Sequence, residues 1–331
     1  MFILAGRIVV PSEIRWLSVA HASTVRRMKL RIAVIAVVAV LLALLGNGLL
    51  MDRTERSAEA FAGGRVLELD GPDLNVREYG PSSHRAVVLL HGYSASIEWW
   101  EKVAPALADS GQRVVAIDLV GHGGSEAPRD VEPYGAAGQA TTVRRALDAL
   151  GVRHAVLVGH SMGGHVAIAV AESDSDLVER IVVSDTPADQ GLTDVPVLGS
   201  VGCWPLIGPA IDRFRGVDAL TDSSLQTGFA SDYSVPQLAH RSLERLTHQG
   251  VCHSGADDNE RAVADRLASL DKPVLVVWGG RDVLTPTASN VERYGAVGLH
   301  PRVIPDSGHS PLVETPAAFV AAITDFIRPD R

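Results

Sequence analysis

The chain has 331 residues, 46% hydrophobic and 21% charged, which is enough apolar material for a substantial core. Its 30 basic and 39 acidic residues leave a net charge of −9. Residues 1–31 hold six of the bases and one acid, so the remainder carries 24 basic against 38 acidic side chains. Such a surface repels phosphate backbones and excludes nucleic acid as a partner.

The first segment, 1–31, is basic, and Met28 is an alternative start that would leave MKLR as a compact basic leader. Residues 32–51, IAVIAVVAVLLALLGNGLLM, follow without a charge. At about 1.5 Å per residue they span roughly 30 Å, the thickness of a bilayer's hydrocarbon core. Arg26, Arg27, Lys29 and Arg31 lie just before this run and favour keeping that end in the cytoplasm. A cleaved signal peptide competes with this reading, because Ala58-Glu59-Ala60 is a small-x-small site before Phe61. The apolar run exceeds the roughly 7–15 residues of a signal core, however, and charged DRTER intervenes. The expectation is an uncleaved transmembrane signal anchor, a linker over 52–64, and a folded domain over 65–331 outside the cytoplasm. Cys203 and Cys252 leave two readings open, a disulfide or two buried thiols.

Beyond the linker, short β runs alternate with helical stretches. Residues 65–69 and 74–79 read as an opening hairpin around Gly-Pro-Asp. Residues 86–90, 113–117, 155–158, 181–183 and 274–277 are apolar runs without polar interruption, the pattern of strands buried on both faces of a parallel sheet. Helices are predicted over 98–107, 134–150, 162–171, 259–270, 286–295 and 312–327, with a last β run at 302–304. The alternation predicts an α/β fold, a mostly parallel sheet with helices on both faces. Residues 187–255 break the rhythm and read as a helical insertion after a strand's end, placed over the site as a cap or lid. Trp204, Leu206, Ile207, Phe214 and Leu220 predict packing within it.

Gly159-His160-Ser161-Met162-Gly163 is G-x-S-x-G between a predicted strand and a predicted helix. A serine aimed off the top of a sheet needs a strained backbone, with φ above zero. The strand and helix then pass so close that Gly159 and Gly163 are required for want of a Cβ. A serine hydroxyl is a weak nucleophile until a base removes its proton. His309, in the loop after the last β run, can reach across the sheet top, whereas His300 and His253 read as surface residues and His160 and His165 as packing or hydrogen-bonding residues of the elbow. Asp282, directly past run 274–277, is the candidate acid to orient that base, with Asp185 as its rival. The oxyanion of a tetrahedral intermediate needs donors already in place, and the backbone N–H groups of Met162 and Tyr93 are assigned to it. Nothing in this set calls for a metal or organic cofactor.

The chain resembles the α/β-hydrolase superfamily, within it the esterase, lipase and haloperoxidase-like branch, over residues 66–328. Five motifs carry the resemblance: LLHGYSAS, DLVGHGGS at 118–125, GHSMGG, WGGRDVLTP and SGHSPLVETP. It implies an eight-stranded sheet, a helical cap at 187–255, and a structural rather than catalytic role for 118–125. The serine at the elbow sets the chain apart from haloalkane dehalogenases and epoxide hydrolases, which use aspartate there. GHSMGG is shared with monoacylglycerol lipases and with hydrolases that cleave carbon–carbon bonds. The function expected is a membrane-anchored serine hydrolase of carboxylic esters, with a small-molecule ester or lipid-derived substrate. The alternatives are the same triad on a thioester, carbon–carbon or amide bond or in peracid formation, and a catalytically silent binding protein of this fold. The sequence fixes no oligomeric state.

Overall fold

The computed structural model describes residues 12–51, 55–193, 203, 204, 207–255 and 259–328. Helix α1 (Ser12–Met51) is followed by eight strands in one sheet: β1 (Arg65–Leu67), β2 (Leu74–Tyr79), β3 (Arg85–Leu90), β4 (Val114–Ile117), β5 (His154–His160), β6 (Val178–Ser184), β7 (Val274–Gly279) and β8 (Arg302–Ile304). Their order across the sheet is β1-β2-β4-β3-β5-β6-β7-β8. The β1–β2 and β2–β4 pairs are antiparallel and the other pairs are parallel. The eight-stranded, mostly parallel sheet is therefore present as expected.

Strand β3 shows how the sequence builds the two layers. Alternate side chains point to opposite faces. Val88 and Leu90 enter one apolar cluster, with Val143 and Leu147 of α3 (Ala136–Ala149) and Val166 and Ile168 of α4 (Met162–Ser173). Val87 and Leu89 enter the other, with Leu107 of α2 (Val103–Asp109) and Phe319 and Ile323 of α12 (Pro316–Ile327). A strand buried on both sides must be apolar at every position, which is why these runs were continuous in the sequence.

Two predicted helices are divided in the structure. The stretch expected as one helix over 98–107 is a 3-10 turn, Ile97–Trp100, followed by α2. The stretch over 312–327 is α11 (Pro311–Glu314) and α12, broken at Thr315. Pro316 has no N–H to donate and pushes the residue before it out of the helical region, and Thr315 accordingly sits at φ −133°, ψ 57°.

Between β6 and β7 lie α5 (Gly208–Asp212), α6 (Asp218–Gln226), α7 (Gln237–Arg245), α8 (His248–His253) and α9 (Val263–Ser269), followed after β7 by α10 (Thr287–Gly295). Helices thus stand between β6 and β7. A disulfide joins Cys203 to Cys252, settling the choice the sequence left open. The cap's apolar residues do not pack as expected. Trp204, Ile207, Phe214 and Leu220 are exposed, and Leu206 lies outside the described residues.

Helix α1 contains one stretch, Val25–Leu50, long and apolar enough to cross a membrane. It starts earlier than the uncharged run, because Arg26, Arg27, Lys29 and Arg31 are helical too. The segment after it is not free of the domain. Arg56 pairs with Ala127 through both main-chain bonds, and its guanidinium donates to the carbonyls of Arg245, His122 and Ser125.

Candidate active site

Strand β5 ends at His160, and α4 starts at Met162, leaving Ser161 as the whole turn. Ser161 has φ 51°, ψ −118°, a conformation that costs an L-residue free energy and is held by its surroundings. Its N–H donates to Ser184 C=O at 2.8 Å, and its C=O accepts from the Thr186 hydroxyl at 3.0 Å. The glycines are needed for close approach. A Cβ on Gly159 would lie 2.4 Å from the Gly163 carbonyl oxygen, and one on Gly163 would lie 2.2 Å from that of Leu90.

The structure brings Ser161, His309 and Asp282 together from three strand ends. The Ser161 hydroxyl lies 3.0 Å from His309 Nε2, and His309 Nδ1 lies 2.8 Å from Asp282 Oδ2. Asp282 Oδ1 accepts from the N–H groups of Leu284 and Thr285, both at 2.9 Å, and Oδ2 also accepts from the Thr285 hydroxyl. Burial pushes the Asp282 carboxyl up, but the charge and hydrogen bond of His309 and the Thr285 donors outweigh it and hold it below the usual carboxylate value.

Asp185, the rival acid, follows β6 beside this pair and turns its carboxyl elsewhere. Oδ1 accepts from Gly279 N–H at 2.7 Å, and Oδ2 is bonded to the Ser184 hydroxyl at 2.7 Å. Burial, followed by the charge of Asp282, raises the Asp185 carboxyl well above its ordinary value. Among the described residues, Asp185, Asp282 and His309 are the one group of His, Cys, Asp and Glu donors close enough to share a cation, with atoms within 4.8 Å of one another. The ring nitrogens of His309 are already engaged by Asp282 and Ser161.

Of the two assigned oxyanion donors, Met162 directly follows the serine. Met162 is the first residue of α4, so its N–H has no acceptor within the helix. The Tyr93 main chain follows Gly92, where an added Cβ would come within 3.1 Å of Ser161 Cβ. The Tyr93 hydroxyl points away to donate to the Val251 carbonyl of α8 at 2.9 Å. Residues 118–125 support this loop. Asp118 accepts from Ile97 N–H at 2.7 Å, Asn75 Nδ2 at 2.7 Å and Gly124 N–H at 2.8 Å, and burial pushes its carboxyl up to about 6.

Two participants, Thr285 and Glu314, were not singled out from the sequence, and His160 takes the hydrogen-bonding role open to it there. Thr285 ties Asp282 in place and lies 3.1 Å from His309 Nδ1. His160 donates from Nε2 to the His309 carbonyl at 2.8 Å, fixing the loop that carries His309. Burial, followed by the charge of His309, depresses its pKa to about 3, so it stays neutral. Glu314 accepts from Gly308 and Ser310 N–H on either side of His309, each at 3.1 Å, and from Ala230 of the cap at 2.9 Å. The only hints of Thr285 and Glu314 were the threonine in WGGRDVLTP and the glutamate in SGHSPLVETP. His300 is exposed as expected, whereas His253 is half-buried, its ring 6.3 Å from that of Tyr134.

The model of the alpha/beta hydrolase fold matches residues 85–201. Pimeloyl-[acyl-carrier protein] methyl ester esterase of Neisseria meningitidis is 28% identical over 257 residues, 76% of this chain and 96% of that protein. The enol-lactonase of Burkholderia xenovorans LB400 superposes with a TM-score of 0.66 at 24% identity, over 79% of this chain and 99% of that one. The esterase RhEst1 of Rhodococcus sp. ECU1013 superposes at 0.62 with 25% identity, over 79% and 97%. With its sheet order and its strand–serine–helix turn, the chain has the α/β-hydrolase fold. Within that fold its class is that of a hydrolase.

Proposed function

We propose that the chain is a membrane-anchored serine hydrolase of carboxylic esters, with Ser161 as nucleophile, His309 as base and Asp282 as orienting acid. The observation that carries this reading is the continuous relay from the Ser161 hydroxyl through both His309 nitrogens to Asp282. Ser161 attacks the ester carbonyl as His309 Nε2 takes its proton, and Asp282 stabilises the imidazolium. The Met162 and Tyr93 N–H groups receive the negative oxygen. His309 then returns the proton to the leaving alcohol, and water, activated by the same histidine, releases the acid from the acyl-enzyme. His160, Trp99, Phe229 and Tyr233 form a column of stacked rings beside the elbow, with centroids 5.6–5.9 Å apart, and this supports an apolar acyl group.

The domain assignment is part of the proposal: anchor, short connection, and a hydrolase domain over 65–331 with its cap over 187–255. The basic residues before the apolar run support a cytoplasmic N-terminus. The Cys203–Cys252 disulfide supports an oxidising compartment for the domain.

Ser161→Ala should abolish both ester hydrolysis and labelling by a fluorophosphonate probe. Labelling that survived the change would refute the assignment of the nucleophile, and inertness of the unaltered chain to such probes would favour a silent binding protein. A series of p-nitrophenyl esters of graded chain length, run against thioester, amide and carbon–carbon substrates, separates ester cleavage from the same triad acting on another bond.

A further inference from the structure

The cap carries an apolar ridge that none of the described residues covers. Trp204, Ile207, Ile211 and Phe214 are spaced by three, four and three residues, which places them on one side of a helix. The backbone follows that course, with Gly208 N–H donating to Trp204 C=O at 2.8 Å and Ile211 N–H to Ile207 C=O at 2.9 Å. From Phe214 onward the hydrogen bonds run three residues back, to Phe214 from Val217 at 3.0 Å and to Val217 from Leu220 at 2.8 Å. Val217 itself is extended, at φ −105°, ψ 94°, and Leu220 lies in the first turn of α6, so these two exposed side chains prolong the apolar run along the chain. All six side chains are between 43% and 66% exposed. A run of this kind on a cap would be an aggregation liability for a domain free in water.

Its position relative to α1 suggests what covers it. Helix α5 packs on α1, and Arg213, within the ridge, donates from Nε to Asn47 Oδ1 at 2.9 Å. Asn47 lies three residues, or about 4.5 Å of helix, before the end of the apolar stretch Val25–Leu50. The ridge thus stands level with the last turn of a helix whose apolar side chains are themselves exposed along its length. Any medium that solvates those side chains extends to the ridge without a break. Aromatic rings beside an arginine at this level also match the interfacial layer of a bilayer, where ring bodies bury and charged heads stay wet.

We infer that the ridge Trp204–Ile207–Ile211–Phe214–Val217–Leu220 is a bilayer-docking surface, seated in the headgroup region of the same membrane that holds α1. The inference rests on reading α1 as a membrane helix. The ridge adds a second attachment, and it is joined to the site. The Cys203–Cys252 disulfide links the start of the ridge to α8, whose Val251 carbonyl holds the Tyr93 hydroxyl of the oxyanion loop. The docked cap sets that loop beside the lipid, so an ester dissolved in the bilayer reaches the enzyme without crossing bulk water.

The test uses the full chain reconstituted in phosphatidylcholine–phosphatidylglycerol vesicles. Nitroxide labels are placed singly at Leu42→Cys, Phe214→Cys and Leu220→Cys, the native cysteines being occupied in their disulfide. Collision with oxygen, which partitions into lipid, is compared with collision with a water-soluble nickel chelate. Docking requires an oxygen-to-nickel ratio at 214 and 220 several-fold above that of the same labels in detergent-free buffer after proteolytic release from α1. A lipid-like ratio at 42 with water-like ratios at 214 and 220 overturns docking while leaving the anchor intact. A water-like ratio at 42 overturns the anchor and the docking with it. Spin–spin broadening at 214 that vanishes on dilution with unlabelled chain means that a second copy covers the ridge, and it overturns the lipid assignment.

Discussion

Replacing Asp282 by asparagine is the sharpest probe of the proposed relay, because the surroundings of this carboxyl dictate how the amide must sit. Oδ1 accepts two main-chain N–H groups, from Leu284 and Thr285, and only the amide oxygen can stay there. The NH2 group then takes the place of Oδ2 and faces His309 Nδ1 at the 2.8 Å now occupied by an acceptor. Two donors cannot share that gap, so the imidazole adopts the tautomer with its proton on Nε2. That nitrogen then meets the Ser161 hydroxyl as a donor and cannot take its proton. A triad forced into the wrong tautomer loses roughly four orders of magnitude in kcat, or about 5.5 kcal/mol of barrier. The assay is steady-state hydrolysis of p-nitrophenyl acetate, with KM and thermal unfolding measured alongside. The expected result is a kcat about 10⁴-fold lower with KM and unfolding nearly unchanged. A kcat within about tenfold of the unaltered chain would refute the argument that Asp282 orients the base. Asp185 then becomes the natural suspect, and Asp185→Asn would be the variant that loses activity.

Gly163→Ala places a Cβ 2.2 Å from the Leu90 carbonyl oxygen, a main-chain atom with no room to move. It should cost about 3 kcal/mol or more, read as a lowered guanidinium midpoint, with loss of turnover in whatever fraction stays folded. Stability should also fall between pH 6.5 and 4. His91, His122 and His160 are buried with depressed pKa values, about 4 for His122 and about 3 for His160, because burial disfavours their charged forms. The unfolded chain takes up these protons below about pH 6.5 and the folded chain does not, so each histidine costs up to about 1.4 kcal/mol per pH unit on acidification. Unfolding followed at pH 7 and pH 5 tests this: the raised carboxyls of Asp118 and Asp185 offset part of the loss, and His122→Gln should remove that histidine's own share of it. Reducing the Cys203–Cys252 bond, which closes a 49-residue separation, should cost about 4 kcal/mol on loop entropy. A midpoint unchanged by reductant would contradict that figure.

The parts of the molecule that could be read from the sequence are those where the fold leaves few choices. Strands β3 to β7 are buried on both faces, so their side chains spell continuous apolar words. The elbow at Ser161 demands glycines at fixed places and a strand and helix on either side, so five residues locate it. Ser161, Asp282 and His309 were each visible because each stands just past a strand. Asp282 could not be separated from Asp185 with certainty by position, since both follow neighbouring strands. The structure distinguishes them by where the carboxyl oxygens point. Thr285 and Glu314 act by holding other residues, and a holding role leaves no spacing rule in the sequence. The cap was misread for a physical reason. Apolar residues were taken to mean internal packing, but Trp204, Phe214 and Leu220 face outward.

Arg56 has one further implication. Between Met51, the last residue of α1, and Glu55 there are only four peptide steps, at most about 14 Å of extended chain. One residue further on, Arg56 is fixed to Ala127, His122, Ser125 and Arg245 by five hydrogen bonds. A flexible stalk would let a catalytic domain sweep a wide volume around its point of attachment, and this chain has almost no stalk. On the proposal that α1 is a membrane anchor, four peptide steps keep the domain within about 14 Å of the end of that helix, and the active-site mouth stays near the bilayer. Lengthening this leash by a glycine–serine insert before Arg56 would change the geometry of encounter without touching a single residue of the site.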